Sequence, residues 1–254
     1  MGYITKEVYD AIDALAPFKS CMEWDNVGLL VGSADETVNG VLVTLDVTPE
    51  AVAEAKRLGA NCIVSHHPVI FEALKCVGAD SVPGLCLAAG ISIISAHTNY
   101  DFAPQGVNYA LAAVLGLRNI RPFGTEEPCG MLGELSQPMT AAGLAAYWEE
   151  ALGTHIQYVP CKGKIDTVAV CGGAGSDFLP QAVSAGAGAF LTGEVKHHEW
   201  FAAAKSGICL MAGGHHATEQ PAVPQLAQQL RDALPGLGIA VFDSNPTRWG
   251  KDTK

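Results

Sequence analysis

Short apolar runs alternate with amphipathic helical patterns along most of this 254-residue chain. Such an alternation is typical of α/β folds, in which strands and helices follow one another. The sequence predicts strands at residues 41–46, 62–65, 91–96, 131–135, 168–171, 189–192, 208–212 and 239–242. It predicts helices at residues 49–58, 82–89, 140–152, 179–185, 196–205 and 221–234. A turn-rich stretch at residues 121–130 divides this series into two α/β halves.

Composition excludes several classes of protein. Hydrophobic residues make up 49% of the chain and charged residues 16%, which excludes intrinsic disorder. The longest weakly polar run, residues 85–96, is interrupted by Gly90 and is far shorter than the roughly 20 apolar residues of a membrane span. The net charge is −11, and no basic cluster offsets it, so duplex nucleic acid is not an expected partner.

The eight cysteines indicate a reducing compartment. None belongs to a Cys-x-x-Cys pair, and Cys62, Cys171 and Cys209 lie in apolar strand-like runs. These features predict buried free thiols rather than a disulfide framework. The first residues lack the pattern of an export signal, so we expect a cytoplasmic protein.

Seven of the eight histidines fall in four motifs, and each motif directly follows a predicted strand. The motifs begin at His66, His97, Gly193 and Gly213, and they also contain Asp101, Glu194 and Glu219. Open α/β sheets bind their ligands at strand ends. A single histidine is more often a structural side chain, but this clustering predicts a metal site.

The ligand types favour particular metals. Imidazole and carboxylate groups without thiolates suit Zn, Fe, Mn, Ni or Co, whereas carboxylates alone suit Mg or Ca. Adjacent His66 and His67 point in different directions in an extended strand and could serve two ions. His215 and Glu219 share one face of a helical turn, and a carboxylate such as that of Glu219 can bridge two cations. The pattern therefore predicts two divalent metal ions.

Several of these motifs, in this order, are those of a known family. They are Trp24 to Leu29, Ser65 to Pro68, His97 to Asp101, Cys171 to Ser176, Gly193 to Glu199, and Gly214 to Glu219. The sequence resembles the GTP cyclohydrolase 1 type 2 family of Nif-three-like dinuclear metal proteins, over essentially its whole length.

The resemblance implies an α/β fold with two similar three-layer subdomains, mixed sheets and a dinuclear metal site between them. The implied subdomains are residues 1–128 with 236–254, and residues 129–235. The resemblance also implies a toroidal homohexamer. Carried over to this sequence, one ion would be held by His66 and His215 and the other by His67 and Asp101, with Glu219 bridging both.

The remaining motif residues have more than one interpretation. His97, His198 and Glu194 are the candidate catalytic residues; His97, His197 and His198 could each orient a ligand, transfer protons or ligate an ion. The Gly172–Gly175 run could bind a phosphate or form a tight turn. Trp24, Asp25 and Asn26 could line a cavity mouth or have a packing or turn role.

Two functions compete. In the first, the protein is a metal-dependent hydrolase of a small molecule such as GTP, in which activated water attacks C8 of guanine and formate is released, with His97 or His198 shuttling protons. In the second, it is a non-catalytic hexameric scaffold or metal store. Five protein ligands for two ions leave coordination positions open for water, which favours the enzyme.

Overall fold

The computed structural model describes residues 2–124 and 128–247, which form two compact units. The first unit comprises residues 2–14, 23–97 and 227–247; the second comprises residues 15–22, 98–124 and 128–226. The subdomain limits expected from the resemblance, near residues 128 and 236, stay a prediction. Within the predicted turn-rich stretch, residues 125–127 lie outside the described residues.

The first unit is built on a mixed five-stranded sheet. Its strands, numbered in chain order, are β1 (Tyr3–Ile4), β2 (Gly28–Val31), β3 (Thr37–Val38), β4 (Val41–Thr44), β5 (Cys62–Ser65), β6 (Ser92–Ser95) and β13 (Ile239–Val241). The helices are α1 (Thr5–Leu15), α2 (Pro49–Leu58) and α3 (Val82–Ala89). The sheet order is β13-β4-β5-β6-β2, with β2 antiparallel and the other strands parallel, while β1 and β3 form a separate antiparallel pair.

The three central strands of this sheet are buried on both faces. Every residue of β4, β5 and β6 is buried, as expected for parallel strands covered on both sides. Leu42, Ile63 and Ile93 pack with side chains of α2 and α3 in one hydrophobic cluster. The carboxyl ends of these strands are thereby fixed by a rigid core.

Local signals set the helix ends. The α2 helix begins after Thr48, whose hydroxyl accepts a hydrogen bond from Ala51 N at 3.2 Å, and it ends at Gly59 with φ +71°. The α3 helix has the same arrangement, between Ser81 and Gly90. A hydroxyl N-cap and a left-handed glycine are the usual ends of a helix, which explains why both predicted ranges match.

The second unit contains a mixed six-stranded sheet. Its strands are β7 (Arg118–Phe123), β8 (Gly130–Met139), β9 (Gln157–Tyr158), β10 (Ile165–Cys171), β11 (Ala189–Thr192) and β12 (Cys209–Ala212). Its helices are α4 (Thr98–Asp101), α5 (Val107–Val114), α6 (Ala141–Leu152), α7 (Leu179–Ser184), α8 (His197–Ser206) and α9 (His215–Glu219), and α10 (Ala222–Ala233) begins here. The order is β7-β8-β10-β11-β12-β9, with β10, β11 and β12 parallel.

Alternate residues of β10 enter two different cores. Val168 and Val170 belong to a cluster with buried residues of α5 and α6, whereas Ala169 and Cys171 belong to a cluster with residues of α7 and α8. Successive side chains of a strand point to opposite faces, so helices cover this sheet on both sides. The predicted α/β fold with mixed sheets is confirmed.

The sequence interpretation was incomplete at the polar edge of the second sheet. Residues 121–123 were predicted to be turn-rich, but they form the last part of β7, a mostly exposed edge strand. Pro122 led to the wrong prediction, because proline is typical of turns and within sheets is confined to edge strands.

Among the described residues, no helix combines the length and hydropathy needed to cross a bilayer.

The predicted burial of the cysteines is confirmed at three positions. Cys62, Cys171 and Cys209 are buried free thiols, and burial raises the pKa of Cys62 to about 12.

Trp148 tests the core of the second unit. Its side chain is fully buried in the cluster formed with α5, whereas the neighbouring Tyr147 is exposed on the same helix. We expect Trp148→Ala to lower the free energy of unfolding by about 3–5 kcal/mol, measured by urea denaturation, because it leaves a large cavity. Tyr147→Ala serves as the control and should change it by about 0.5 kcal/mol or less. Equal effects of the two substitutions would contradict this assignment of the core.

Candidate metal centre

Three histidines of the first unit stand at the carboxyl ends of β5 and β6. These strands are parallel and paired in register, with Ser65 opposite Ser95. The hydroxyls of those serines lie 2.8 Å apart. His66 and His67 follow Ser65, and His97 follows Ser95 after one residue. The strand pairing therefore brings the three imidazoles to one edge of the sheet.

The three imidazoles form a compact group, here called the histidine cluster (His66, His67 and His97). One ring nitrogen from each lies within 4.8 Å of the others. The ring centroids are 5.0 to 5.7 Å apart, and His66 is buried. Histidines at this spacing could ligate a common metal ion, so the structure places His97 beside two of the predicted ligands.

Each histidine of the cluster uses its Nδ1 atom in a hydrogen bond to an oxygen. His66 Nδ1 donates to the main-chain oxygen of Ala96 at 2.9 Å. His67 Nδ1 donates to Asp46 Oδ1 at 2.8 Å, and His97 Nδ1 to Asp25 Oδ1 at 2.9 Å. A neutral imidazole that donates from Nδ1 carries its lone pair on Nε2, the arrangement found in histidines that bind metals. Each of the three rings, when neutral, can therefore offer its Nε2 atom as a metal ligand.

The second unit carries a histidine and a carboxylate on one helical turn. The α9 helix follows β12 after two glycines, and it places His215 Nε2 3.1 Å from Glu219 Oε1. The Nδ1 atom of His215 donates to Glu194 Oε1 at 2.9 Å. The predicted shared face of His215 and Glu219 is confirmed, and the two groups supply nitrogen and oxygen donors suited to a divalent cation.

A glycine makes room for the Glu219 carboxylate. Gly173 has φ +61°, and a Cβ atom built there would overlap Glu219 Oε1 and lie 3.2 Å from His215 Nε2. Only glycine combines this backbone conformation with so close an approach. The Gly172–Gly175 run thus has a steric role beside the pair formed by His215 and Glu219.

The same run uses its backbone N–H groups within the protein. The acceptors are side-chain oxygens: Asn108 for Gly172 at 2.8 Å, Thr218 for Gly173 at 3.1 Å, and Thr192 for Gly175 at 2.9 Å. A phosphate-binding loop needs such groups to be directed at its ligand. Of the two interpretations of this run, the tight turn is therefore favoured.

The charges of Asp101 and Glu219 both act on the thiol of Cys171. Cys171, at the end of β10, is buried, and its pKa is raised well above the usual value by burial and by the negative charges of Asp101 and Glu219. Asp101 itself ends α4, and its main-chain oxygen accepts a hydrogen bond from Asn108 at 3.0 Å. Two of the predicted acidic ligands thus lie near one thiol in the second unit.

The other candidate catalytic residues occupy different positions. Glu194 contacts His215 directly and so acts as its orienting partner. His198 is exposed in the first turn of α8, outside both groups of ligand atoms described above. The ring of the neighbouring His197 packs against that of Phe201, with the two ring centroids 5.3 Å apart.

Sequence reasoning overlooked two orienting carboxylates. Asp46 follows β4 at the same sheet edge as His66 and His67, so the rule that predicted the histidines could also have predicted it. Asp25 was interpreted only as lining a cavity or forming a turn, and its link to His97 depends on tertiary structure. Its side chain is fully buried in this contact.

Gly173→Ala should lower metal affinity at least about tenfold, since the added methyl group would displace the Glu219 carboxylate. Gly153→Ala is the matched control, because Gly153 has the same φ of +61° and nothing within 4 Å of a built Cβ. Both variants should lose stability through backbone strain of about 1–3 kcal/mol. Zn²⁺ competition against a chromophoric chelator measures the difference, and equal affinities would contradict the steric role of Gly173.

Asp46→Asn should weaken metal binding about 10- to 100-fold, because the amide no longer anchors His67 as a carboxylate does. The exposed Asp166 of β10 provides the control Asp166→Asn, for which we expect no change. The same chelator competition measures both variants. An unaltered affinity of the Asp46 variant would show that His67 does not depend on this partner.

Comparison with known proteins identifies the family of this chain. The chain matches the family model Duf34/NIF3 (NGG1p interacting factor 3) over residues 4–248. A Streptomyces coelicolor protein named GTP cyclohydrolase 1 type 2 homolog is 37% identical over 231 residues, which is 85% of this chain and 81% of that protein. A Clostridium acetobutylicum protein of the same name is 30% identical, over 94% of each chain.

Solved structures show the same fold. The crystal structure of the Staphylococcus aureus hypothetical protein SA1388 aligns with a TM-score of 0.89 at 26% identity, over 98% of this chain and 100% of that chain. A Bacillus cereus protein related to NIF3 aligns with the same score at 24% identity and the same coverage, a likeness that concerns the fold alone. From the family match and these relatives, the chain belongs to the Duf34/NIF3 family.

Proposed function

We propose that this protein is a metal-dependent hydrolase that binds two divalent cations, with a purine nucleotide such as GTP as substrate. The observation that carries the proposal is the set of Nδ1 hydrogen bonds, by which His66, His67 and His215 are each anchored to an oxygen acceptor. Anchored imidazoles of this kind are a regular feature of metal sites. Histidines with a purely structural role would not all be expected to donate a hydrogen bond from Nδ1 to an oxygen.

The ligands proposed for the two ions follow the family resemblance. His66 and His215 would hold one ion, His67 and Asp101 the other, and Glu219 would bridge them. The nitrogen and oxygen donors fit Zn, Fe, Mn, Ni or Co. Glu219 is buried and the Gly173 backbone leaves room for its carboxylate, which supports its proposed place in the centre.

Bound divalent cations supply Lewis acidity, which activates water as a nucleophile at neutral pH and polarises the substrate. The chain's own residues would do the rest. Asp46 and Glu194 hold the rings of His67 and His215, while His97, anchored by Asp25, would accept and return protons at Nε2. His198 is the second candidate for proton transfer.

The proposed substrate rests on the names of the relatives. Several are named GTP cyclohydrolase 1 type 2 homolog. In such a reaction, one water opens the imidazole ring of guanine at C8 to give a formamide, and a second water hydrolyses the formamide to formate. Both steps are hydrolyses, and neither needs a redox cofactor.

The proposal extends to assembly and location. We infer from the resemblance that the chain forms a homohexamer, and from its cysteines and charge that it is cytoplasmic and does not bind duplex nucleic acid. The net charge of −11 supports the last point, because a negatively charged protein is repelled by phosphates. Light scattering after size exclusion tests the hexamer, and a mass of one or two chains would contradict it.

The decisive experiment measures GTP loss and formate release on protein loaded separately with Zn²⁺, Mn²⁺ and Fe²⁺. We expect turnover with at least one metal. Glu219→Gln should lower kcat/KM by more than about 100-fold, since loss of a ligand exceeds the effect of losing an outer partner. Glu150→Gln is the control, an exposed residue of α6 that should leave turnover unchanged.

Metal content measured on the same samples separates the outcomes. Two bound ions without turnover of GTP would refute GTP as the substrate and favour a non-catalytic scaffold or metal store. Absence of bound metal after loading would overturn the metal centre itself. Equal turnover by the Glu219 and Glu150 variants would overturn the role of Glu219.

A further inference from the structure

Two large aromatic rings of the first unit are exposed next to each other. Trp24 is 60% exposed and Phe71 is 51% exposed. Their ring centroids lie 5.8 Å apart, with the ring planes tilted by 38°. Contiguous exposed apolar surface is uncommon unless it serves binding. This pair, here called the aromatic pair, lies outside the hydrophobic cores described above.

The aromatic pair adjoins the histidine cluster. The ring of His97 lies 6.1 Å from Trp24 and 6.2 Å from Phe71, centroid to centroid. It meets both rings nearly edge-on, at 74° and 75°. The three centroids thus form a nearly equilateral triangle, of which one corner is a member of the candidate metal centre. A molecule placed against the aromatic pair would be beside His97.

Hydrogen bonds fix the segments that carry the two rings. Asn26 Nδ2 donates to the main-chain oxygen of Ile70 at 2.6 Å, which joins the chain next to Trp24 with the chain next to Phe71. The buried carboxylate of Asp25 accepts hydrogen bonds from His97 Nδ1 and from Asn26 N. These hydrogen bonds hold the two segments next to each other, which limits the ordering of the chain that binding would require.

We propose that Trp24 and Phe71 bind a planar heteroaromatic ring of the substrate by stacking, and so determine specificity for a base-bearing molecule. The inference deepens the proposed function and rests on it, since the stacked ring would belong to the molecule hydrolysed. Every nucleobase has a π-face that stacks on aromatic side chains. Offset or tilted ring contacts with centroids 4.5 to 7 Å apart are the favoured geometry. Trp24 and Phe71 already meet each other and His97 at such distances.

The inference gives a purpose to the Trp24-Asp25-Asn26 motif. Asp25 holds His97 and Asn26 holds the Phe71 segment, so one tripeptide couples the ring-binding surface to the histidine cluster. The two interpretations of the motif, a turn and a lining of a cavity mouth, are then compatible with each other, because the turn places Trp24 beside Phe71.

The test measures the affinity for guanosine, which has the base but no phosphate, by calorimetry and by quenching of tryptophan fluorescence. We expect Trp24→Leu and Phe71→Leu each to weaken guanosine binding about 5- to 100-fold. The conservative variant Trp24→Phe should recover part of the affinity. Binding of ribose 5-phosphate, which has no base, should be the same in all variants.

Phe201→Leu is the matched control. Phe201 is an exposed aromatic residue of α8, 66% exposed, and its removal should leave guanosine binding unchanged. Unchanged guanosine affinity in Trp24→Leu would overturn the proposal. A lower assembly mass of Trp24→Leu in size exclusion would also overturn it, because Trp24 would then be covered by a second copy of the chain.

Metal content, measured in parallel, separates this inference from the proposed function. Wild-type protein that holds two ions but does not bind guanosine would refute the aromatic pair as a base-binding surface and leave the metal centre intact. Guanosine binding that depends on Trp24 in protein unable to hold metal would support the aromatic pair and refute the hydrolase.

Discussion

The in-register pairing of β5 with β6 is the constraint from which the geometry of the histidine cluster follows. Because Ser65 lies opposite Ser95, the residues after each strand emerge at the same level of the sheet. The peptide groups beyond the strands continue the pairing, since His66 N donates to Thr44 O and Ala96 N to Ser65 O. A slip of one residue would turn every side chain of the strand to the other face. Because both faces of β4, β5 and β6 are packed, that slip would place each side chain in a core that fits a different one.

The two units bring candidate metal ligands together by different means. In the first unit, ligands come from neighbouring parallel strands and are held by oxygen acceptors. In the second, His215 and Glu219 come from one short helix, and the Gly172–Gly175 run packs closely against that helix. In the first unit, pairing between strands distant in sequence brings the histidines together. In the second, the spacing of one helical turn brings His215 and Glu219 together.

The sequence predicted the parts of this arrangement that depend on periodicity. Strand ends followed by histidines, and the four-residue spacing of His215 and Glu219, are visible without a structure. The acceptors were harder to predict, because Asp25 is 72 residues from His97 and a backbone oxygen such as that of Ala96 has no sequence signature. The edge strand β7 was missed for a related reason, since its polar, proline-containing sequence resembles a turn. The acceptors and the edge strand β7 both depend on contacts between residues distant in sequence, rather than on local conformational preference.

The acceptors of the histidine hydrogen bonds differ in how readily mutation can remove them. The partner of His66 is a main-chain oxygen, so substitution of the Ala96 side chain does not delete it. The partners of His67 and His215 are the side chains of Asp46 and Glu194, and a single codon change can remove either. The orientation of His66 is therefore insensitive to the side chain at position 96, whereas the orientations of His67 and His215 each depend on one carboxylate side chain. A substitution that changes the properties of this centre without replacing a candidate ligand can therefore act through either of these two carboxylates.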